Sequence, residues 1–254
     1  MKHNIALILL TLAIAALSYF RFGSDYYWIV LVLLLVGFSF LVIFGSSVLT
    51  FNYFIKSVSK GNANGISLTF DDGPDVILTP KVLTILEHYK VKATFFLIGK
   101  SVEKHPELVS EIINKGHIVG SHSYSHDNKI TVFSTSKLTN DLEKGIEAIQ
   151  TVIGKRSVYF RPPFGVTTPR YKRALKNVGV KSIGWSLRSM DTVAKSKEQL
   201  LNKLTSKVKP GDIVLLHDNC SITIDTLPDF LAFCDKKGII IVPLDENISI
   251  KPYA

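Results

Sequence analysis

Two regimes of apolar patterning divide the chain. In the first, residues 5–20 (IALILLTLAIAALSYF) and 26–51 (YYWIVLVLLLVGFSFLVIFGSSVLTF) run without a single charge. As helices they would measure roughly 24 Å and 39 Å, against a hydrocarbon core of about 30 Å. The spacing predicts a membrane hairpin, with helices over about 4–22 and 26–48 joined by the short RFGSD turn. The first segment also has the makings of a secretory signal, with Lys2 ahead of an apolar core and small residues near Ala15 and Ser18. Its length and the tight connection favour two spans.

From residue 61 the pattern changes to short, near-continuous apolar runs separated by amphipathic stretches. The runs are 66–70, 93–98, 117–121, 157–161, 181–187, 212–217 and 239–243, which is how strands buried on both faces read. Between them, helical periodicity covers 79–90, 106–115, 135–153, 169–178, 196–208 and 224–236. Pro80, Pro106, Pro169 and Pro228 stand near the expected helix starts, and Gly116, Gly154, Gly179 and Gly238 just past the ends. Repeated strand–helix units imply a parallel sheet with helices outside it. Two divisions are expected: a membrane anchor over 1–55 and a seven-stranded α/β domain over 61–254.

Charge alters this picture modestly. The formal net charge is +9, and residues 1–60 hold only Lys2, Arg21, Lys56 and Lys60 against Asp25, so most of the excess lies in the later part. It suits a domain near an anionic surface or one handling anionic substrates. No basic stripe interleaves with aromatics and no GxGxxG or Walker-type loop follows a strand, so nucleic acid and nucleotides are not expected partners. Cys220 and Cys234 have no metal-ligand spacing and read as ordinary thiols, as His3, His88, His105 and His117 read as structural.

The candidate chemistry gathers where strands end. Asp71 and Asp72 follow the first run, His122 and His126 the third, Arg161 closes the fourth, Asp191 follows the fifth and His217 closes the sixth. In (β/α) barrels, sites are built at that end of the sheet. The H-x-x-x-H spacing of His122 and His126 is expected to put both imidazoles on one side of a helical turn. With one carboxylate they make a catalytic metal site with open positions. Adjacent carboxylates diverge, so the second would sit beside the ion as general base, and His217 would be the general acid of a metal-assisted acyl hydrolysis.

TFDDGP, HSYSH, RPPFG, WSLRSMD and LLHD, in this order across residues 64–245, resemble the five motifs of the polysaccharide deacetylases, carbohydrate esterase family 4 or the NodB homology domain. The resemblance implies a distorted seven-stranded (β/α) barrel that removes N-acetyl or O-acetyl groups from sugars. It assigns Asp71 as base and Asp72, His122 and His126 to one divalent metal, zinc first, with cobalt, manganese or iron as alternatives. It implies that Arg161 orients Asp71, that the Phe164 backbone N–H (where the family usually has Tyr) helps hold the oxyanion, and that Asp191 orients His217. Leu215 would line the acetyl pocket. The fourth motif departs from the family: Arg188 replaces an Asp and Thr192 a Trp, which points toward an anionic or lipid-linked sugar.

The expected function is hydrolysis of an acetylated glycan at a membrane by a metal-activated water. Alternatives are a deacylase or deformylase of a polyprenyl-linked sugar and, in another class, a non-catalytic carbohydrate-binding barrel. Lys2, Lys56 and Lys60 outside the hairpin lean toward a cytoplasmic domain, whereas cell-wall chemistry needs the opposite side.

Overall fold

The computed structural model describes residues 2–254. In chain order the elements are α1 (Lys2–Arg21), α2 (Tyr27–Ser47), β1 (Ser57–Val58), β2 (Ser67–Asp71), α3 (Leu78–His88), β3 (Thr94–Leu97), α4 (Gly99–Lys104), α5 (Pro106–Asn114), β4 (Ile118–Ser121), α6 (Thr135–Ile153), β5 (Tyr159–Phe160), α7 (Pro169–Val178), β6 (Lys181–Ile183), β7 (Leu187–Arg188), α8 (Lys197–Lys207), β8 (Ile213–His217), α9 (Ser221–Lys236) and α10 (Leu244–Ile248). The strands form one sheet in the order β1-β6-β5-β4-β3-β2-β8-β7, and every pair within it is parallel. Helix crossovers cover it, as parallel sheets require.

Two expected strands took other forms. The run 181–187 breaks into β6 and β7, which lie near opposite edges of the sheet: β6 pairs with β5 and β1, and β7 with β8. Only residues 184–186 join them, and four residue steps span at most about 14 Å. The sheet is therefore curled until its edges come close, without the edges pairing. The break falls at Gly184, where a Cβ would meet the Ser59 hydroxyl at 2.4 Å. The run 239–243 contributes a single parallel bridge, Ile241 to Ile66, because Pro243 lacks an N–H and leads directly into α10. The added strand β1 has an ordinary cause: Ser57 and Val58 find a partner in β6.

Gly154 and Gly179 cap α6 and α7 with positive φ (69° and 77°), as their position after the helices implied. Pro228 is different. Helix α9 starts at Ser221, so Pro228 lies inside it and not in its first turn. Its missing N–H leaves the Ile224 carbonyl without the usual intrahelical donor.

Helices α1 and α2 are long and apolar enough to cross a membrane. Their large side chains face outward; Leu33, Phe40 and Ile43 are 63–68% exposed. The segment after them does the reverse. Tyr53, Phe54 and Ile55 are buried in one apolar cluster with Phe133, Leu142, Tyr171 and Leu175. The end of α2 is tied to the same region, with the Ser46 hydroxyl donating to the Thr167 carbonyl (2.7 Å) and the Thr167 N–H donating to the Ser46 carbonyl (2.9 Å). The hairpin and the α/β domain are packed together without a free linker.

Candidate active site

The site is built at the C-terminal ends of the strands. The register of β2 on β8 sets Asp71 directly opposite His217. Asp72 follows with φ 74°, and this left-handed turn, more than strand alternation, swings its carboxylate away from that of Asp71. Asp72 Oδ1 lies 3.4 Å from His122 Nε2 and 3.3 Å from His126 Nε2. That oxygen is buried and has no hydrogen-bond partner. The His122 Nδ1–H donates to the Arg161 carbonyl (2.9 Å), which leaves Nε2 free to face the carboxylate.

These three groups fit a divalent cation. Ligand atoms on a tetrahedral ion with bonds of about 2.0–2.1 Å are separated by roughly 3.3–3.4 Å, and the orphaned oxygen supplies the negative donor. The backbone that achieves this is not a helical turn. Residues 122–126 form a loop in which Ser123 and His126 take positive φ (69° and 47°), so the expected helical spacing of the two histidines is replaced by two left-handed kinks.

Beneath this triad Arg161 is wholly buried. Nη1 donates to Asp71 Oδ1 (2.7 Å) and to Thr69 Oγ1 (2.8 Å), Nη2 to the Gly184 carbonyl (2.9 Å) and Nε to the Ile183 carbonyl (3.2 Å). Burial holds the Asp71 carboxyl above the usual carboxylate range, and Arg161 opposes only part of that shift. Asp71 is thereby kept more basic than a surface carboxylate while its orientation is set.

On the other side the His217 Nδ1–H donates to Asp191 Oδ1 (2.8 Å). Asp191 Oδ2 accepts from the His217 N–H and from Thr223 Oγ1, each at 2.7 Å. Burial pulls the imidazole pKa down, but the hydrogen bond and charge of Asp191, with Asp71 and Asp72 behind it, outweigh that and raise it to about 9. The Asp191 carboxyl ends below its ordinary range, because bonds from His217 and Thr223 exceed the opposing effect of burial. One carboxylate is held basic and one imidazole is held protonated: opposite tuning within one site, as paired acid–base chemistry needs.

A cavity of about 170 Å³ joins the groups, lined by Asp71, Asp72, His122, His126 and His217 with walls that include Phe164, Trp185, Arg188, Thr192 and Leu215. Every residue nominated for the metal or the pocket lies on its surface; Arg161 and Asp191 stand behind it as supports. The sequence reading gave no role to Trp185, Gly165, Thr69, Thr223 or Asp218. Gly165 (φ 67°) is required where it is, since a Cβ there would sit 2.5 Å from the Trp185 ring. Asp218 is buried against Thr79, and burial pushes its carboxyl up to about 7. Thr69, Gly165, Trp185 and Asp218 had one signal, their places inside TFDDGP, RPPFG, WSLRSMD and LLHD; Thr223 had none, because its partner Asp191 comes from a distant segment.

A family model described as polysaccharide deacetylase matches residues 59–183. The chain is 35% identical over 195 residues to a peptidoglycan-N-acetylglucosamine deacetylase of Bacillus cereus, covering 75% of this chain and 91% of the relative. It is 30% identical to a chitooligosaccharide deacetylase of Azorhizobium caulinodans, covering 70% and 81% respectively. Among solved structures, a peptidoglycan N-acetylglucosamine deacetylase bound to a naphthyl N-hydroxybenzamide aligns with a TM-score of 0.73 and 30% identity, covering 78% of this chain and 95% of that one.

Proposed function

This chain belongs to the polysaccharide deacetylase family, carbohydrate esterase family 4, and on that premise we propose that it is a membrane-anchored, metal-dependent enzyme that removes N-acetyl (or O-acetyl) groups from a glycan. The observation that carries this reading is the convergence of the Asp72–His122–His126 triad with Asp71 and His217 on one cavity. A divalent cation on those three ligands, zinc first among zinc, cobalt, manganese and iron, would polarise the acyl oxygen and lower the pKa of a water from ~15.7 toward ~7.

The chain's own residues do the rest. Asp71, kept basic by burial and aimed by Arg161, takes the proton of a water whose oxygen bonds to the acyl carbon. The Phe164 backbone N–H donates to the acyl oxygen as charge develops there. The carbon–nitrogen bond then breaks, and His217 gives its Nε2 proton to the departing amine while Asp191 holds the ring. Leu215, buried at the cavity wall, receives the acetyl methyl. Acetate and a free amino sugar are the products.

We place the anchor over residues 1–55 and the catalytic domain over 61–254, with α1 and α2 as the two spans. Retention of the intact chain in membranes after alkaline carbonate washing would support that division; a mature mass lacking the first helix would show a cleaved signal instead. The catalytic reading is tested by metal analysis with acetate release from N-acetylglucosamine oligomers, before and after chelation. Release that disappears with the metal and returns on readdition is expected. A metal-loaded protein that binds such glycans and releases nothing would make it a carbohydrate-binding barrel.

A further inference from the structure

Beside the catalytic cavity lies a second one of about 440 Å³, lined by Lys60, Arg188, Lys203, Lys207, Lys209 and Asp212 among others. Arg188 lines both. It stands at the end of β7, Lys203 and Lys207 lie one turn apart on α8, and Lys60 is brought in by its antiparallel bridge to Asp212. The five cations come from four places in the chain.

Five like charges around one cavity make it a favourable place for an anion, and Lys203 and Lys207, one helical turn apart, repel each other weakly. The one carboxylate present offsets only one of the five charges and is held by partners of its own. Asp212 is 5% exposed; its Oδ1 accepts from Ser186 Oγ (2.7 Å) and its Oδ2 from the Lys209 backbone N–H (2.8 Å). Among the described residues none of the five cations forms an ion pair. The guanidinium of Arg188 lies 5.9 Å from the centre of the Trp185 ring, at the catalytic cavity's edge.

We propose that this basin is an anion subsite that selects the substrate: it seats a carboxylate or phosphate carried by the glycan on a sugar neighbouring the one being deacetylated, with Arg188 as the bridge between the two cavities. The proposal rests on the deacetylase reading and names its substrate class, an anionic glycan. Arg188 and the four lysines are specificity determinants, since they lie to one side of the reacting groups.

The test uses the full-length chain in detergent. N-Acetylglucosamine pentamers are compared with the same pentamers carrying 6-carboxylates and with others carrying 6-phosphates. The wild type should favour an anionic pentamer by about tenfold or more in kcat/KM, mainly through KM, and this preference should shrink as salt screens it over a Debye length of about 8–10 Å. Which pentamer is favoured tells carboxylate from phosphate recognition, and competition by inorganic phosphate in the phosphate arm alone would mark a phosphate site. In K203Q/K207Q and K60Q/K209Q the anionic-to-neutral ratio should fall toward one. A wild-type ratio already near one, or a ratio these variants leave intact, overturns the proposal.

Should no pentamer release acetate, the deacetylase reading fails separately. The basin is then judged by direct binding of the anionic pentamers, which the lysine variants must weaken relative to the neutral one. Loss of affinity for phosphatidylglycerol vesicles with pentamer binding intact would identify a membrane contact and reject the glycan subsite.

Discussion

Two arginines flank the ring of Trp185, and they live under opposite rules. Arg161 lies 5.7 Å from the ring centre, fully buried, with four protein acceptors around its guanidinium. Arg188 lies 5.9 Å from the same centre, at the exposed mouth, with no ion pair among the described residues. A cation removed from water must have its donors satisfied by the protein, and it is then committed to that one arrangement. A cation left in water keeps its donors for something that arrives. The floor of the site is thus built for orientation, and its rim is left free for the anion proposed above.

The sharpest way to break this comparison is at the floor. Arg161→Met strands the buried Asp71 carboxylate and should cost about 3–5 kcal/mol of stability, read by denaturant unfolding. Arg161→Lys should recover only part, since one ammonium cannot reach all four acceptors. If Arg161→Met melts like the wild type, the buried pair is not the structural element described above.

Asp71→Asn keeps the shape but removes the proton acceptor. It should lower kcat by roughly 10²–10⁴-fold while the fold survives. A variant that retains most of its kcat would remove Asp71 from the role of base.

A smaller effect is expected at the acid. In the proposed mechanism His217 carries the proton it gives, and its pKa of about 9 means activity should fall as pH rises through that value. Asp191→Asn takes away the main group raising it, so the alkaline limb should move down by roughly 1–3 pH units. An unmoved limb with reduced kcat would mean Asp191 positions the ring without tuning it.

The smallest change in stability is expected at the rim. Arg188→Gln should shift unfolding by no more than about 0.5 kcal/mol, as surface changes do, while changing KM toward anionic glycans more than kcat. Destabilisation comparable to that of Arg161→Met would erase the distinction between the two arginines.

Much of this was legible in the sequence, for identifiable reasons. Strands β2, β3, β4 and β8 are buried on both faces, so their apolar runs are continuous and stand out. Asp71, His122 and His217 end or directly follow such runs, and Arg161 follows the short strand β5, so their gathering at one rim is readable from the sequence. The run 181–187 was harder. Its residues look like one strand, but its halves serve opposite edges of the sheet, and only the partners β5, β1 and β8 decide where it must break. Helix α9 likewise begins earlier than its periodicity indicated, which carries Pro228 into its interior. The basin lysines gave no local signal, since each is an ordinary exposed residue in its own segment.

Neighbouring residues alone specified the alternation of strand and helix, the two apolar N-terminal helices and the polar groups that end the strands. Tertiary structure decided how those groups meet. The left-handed turn at Asp72 divides the two carboxylates, the kinks at Ser123 and His126 bring the histidines to one oxygen, and curling of the sheet closes Trp185 over Gly165. The curling also leaves Arg161 in the dark and Arg188 in water. Burial and long-range pairing depend on the whole chain, and so the motifs RPPFG and WSLRSMD could name one arginine each without telling which one was free.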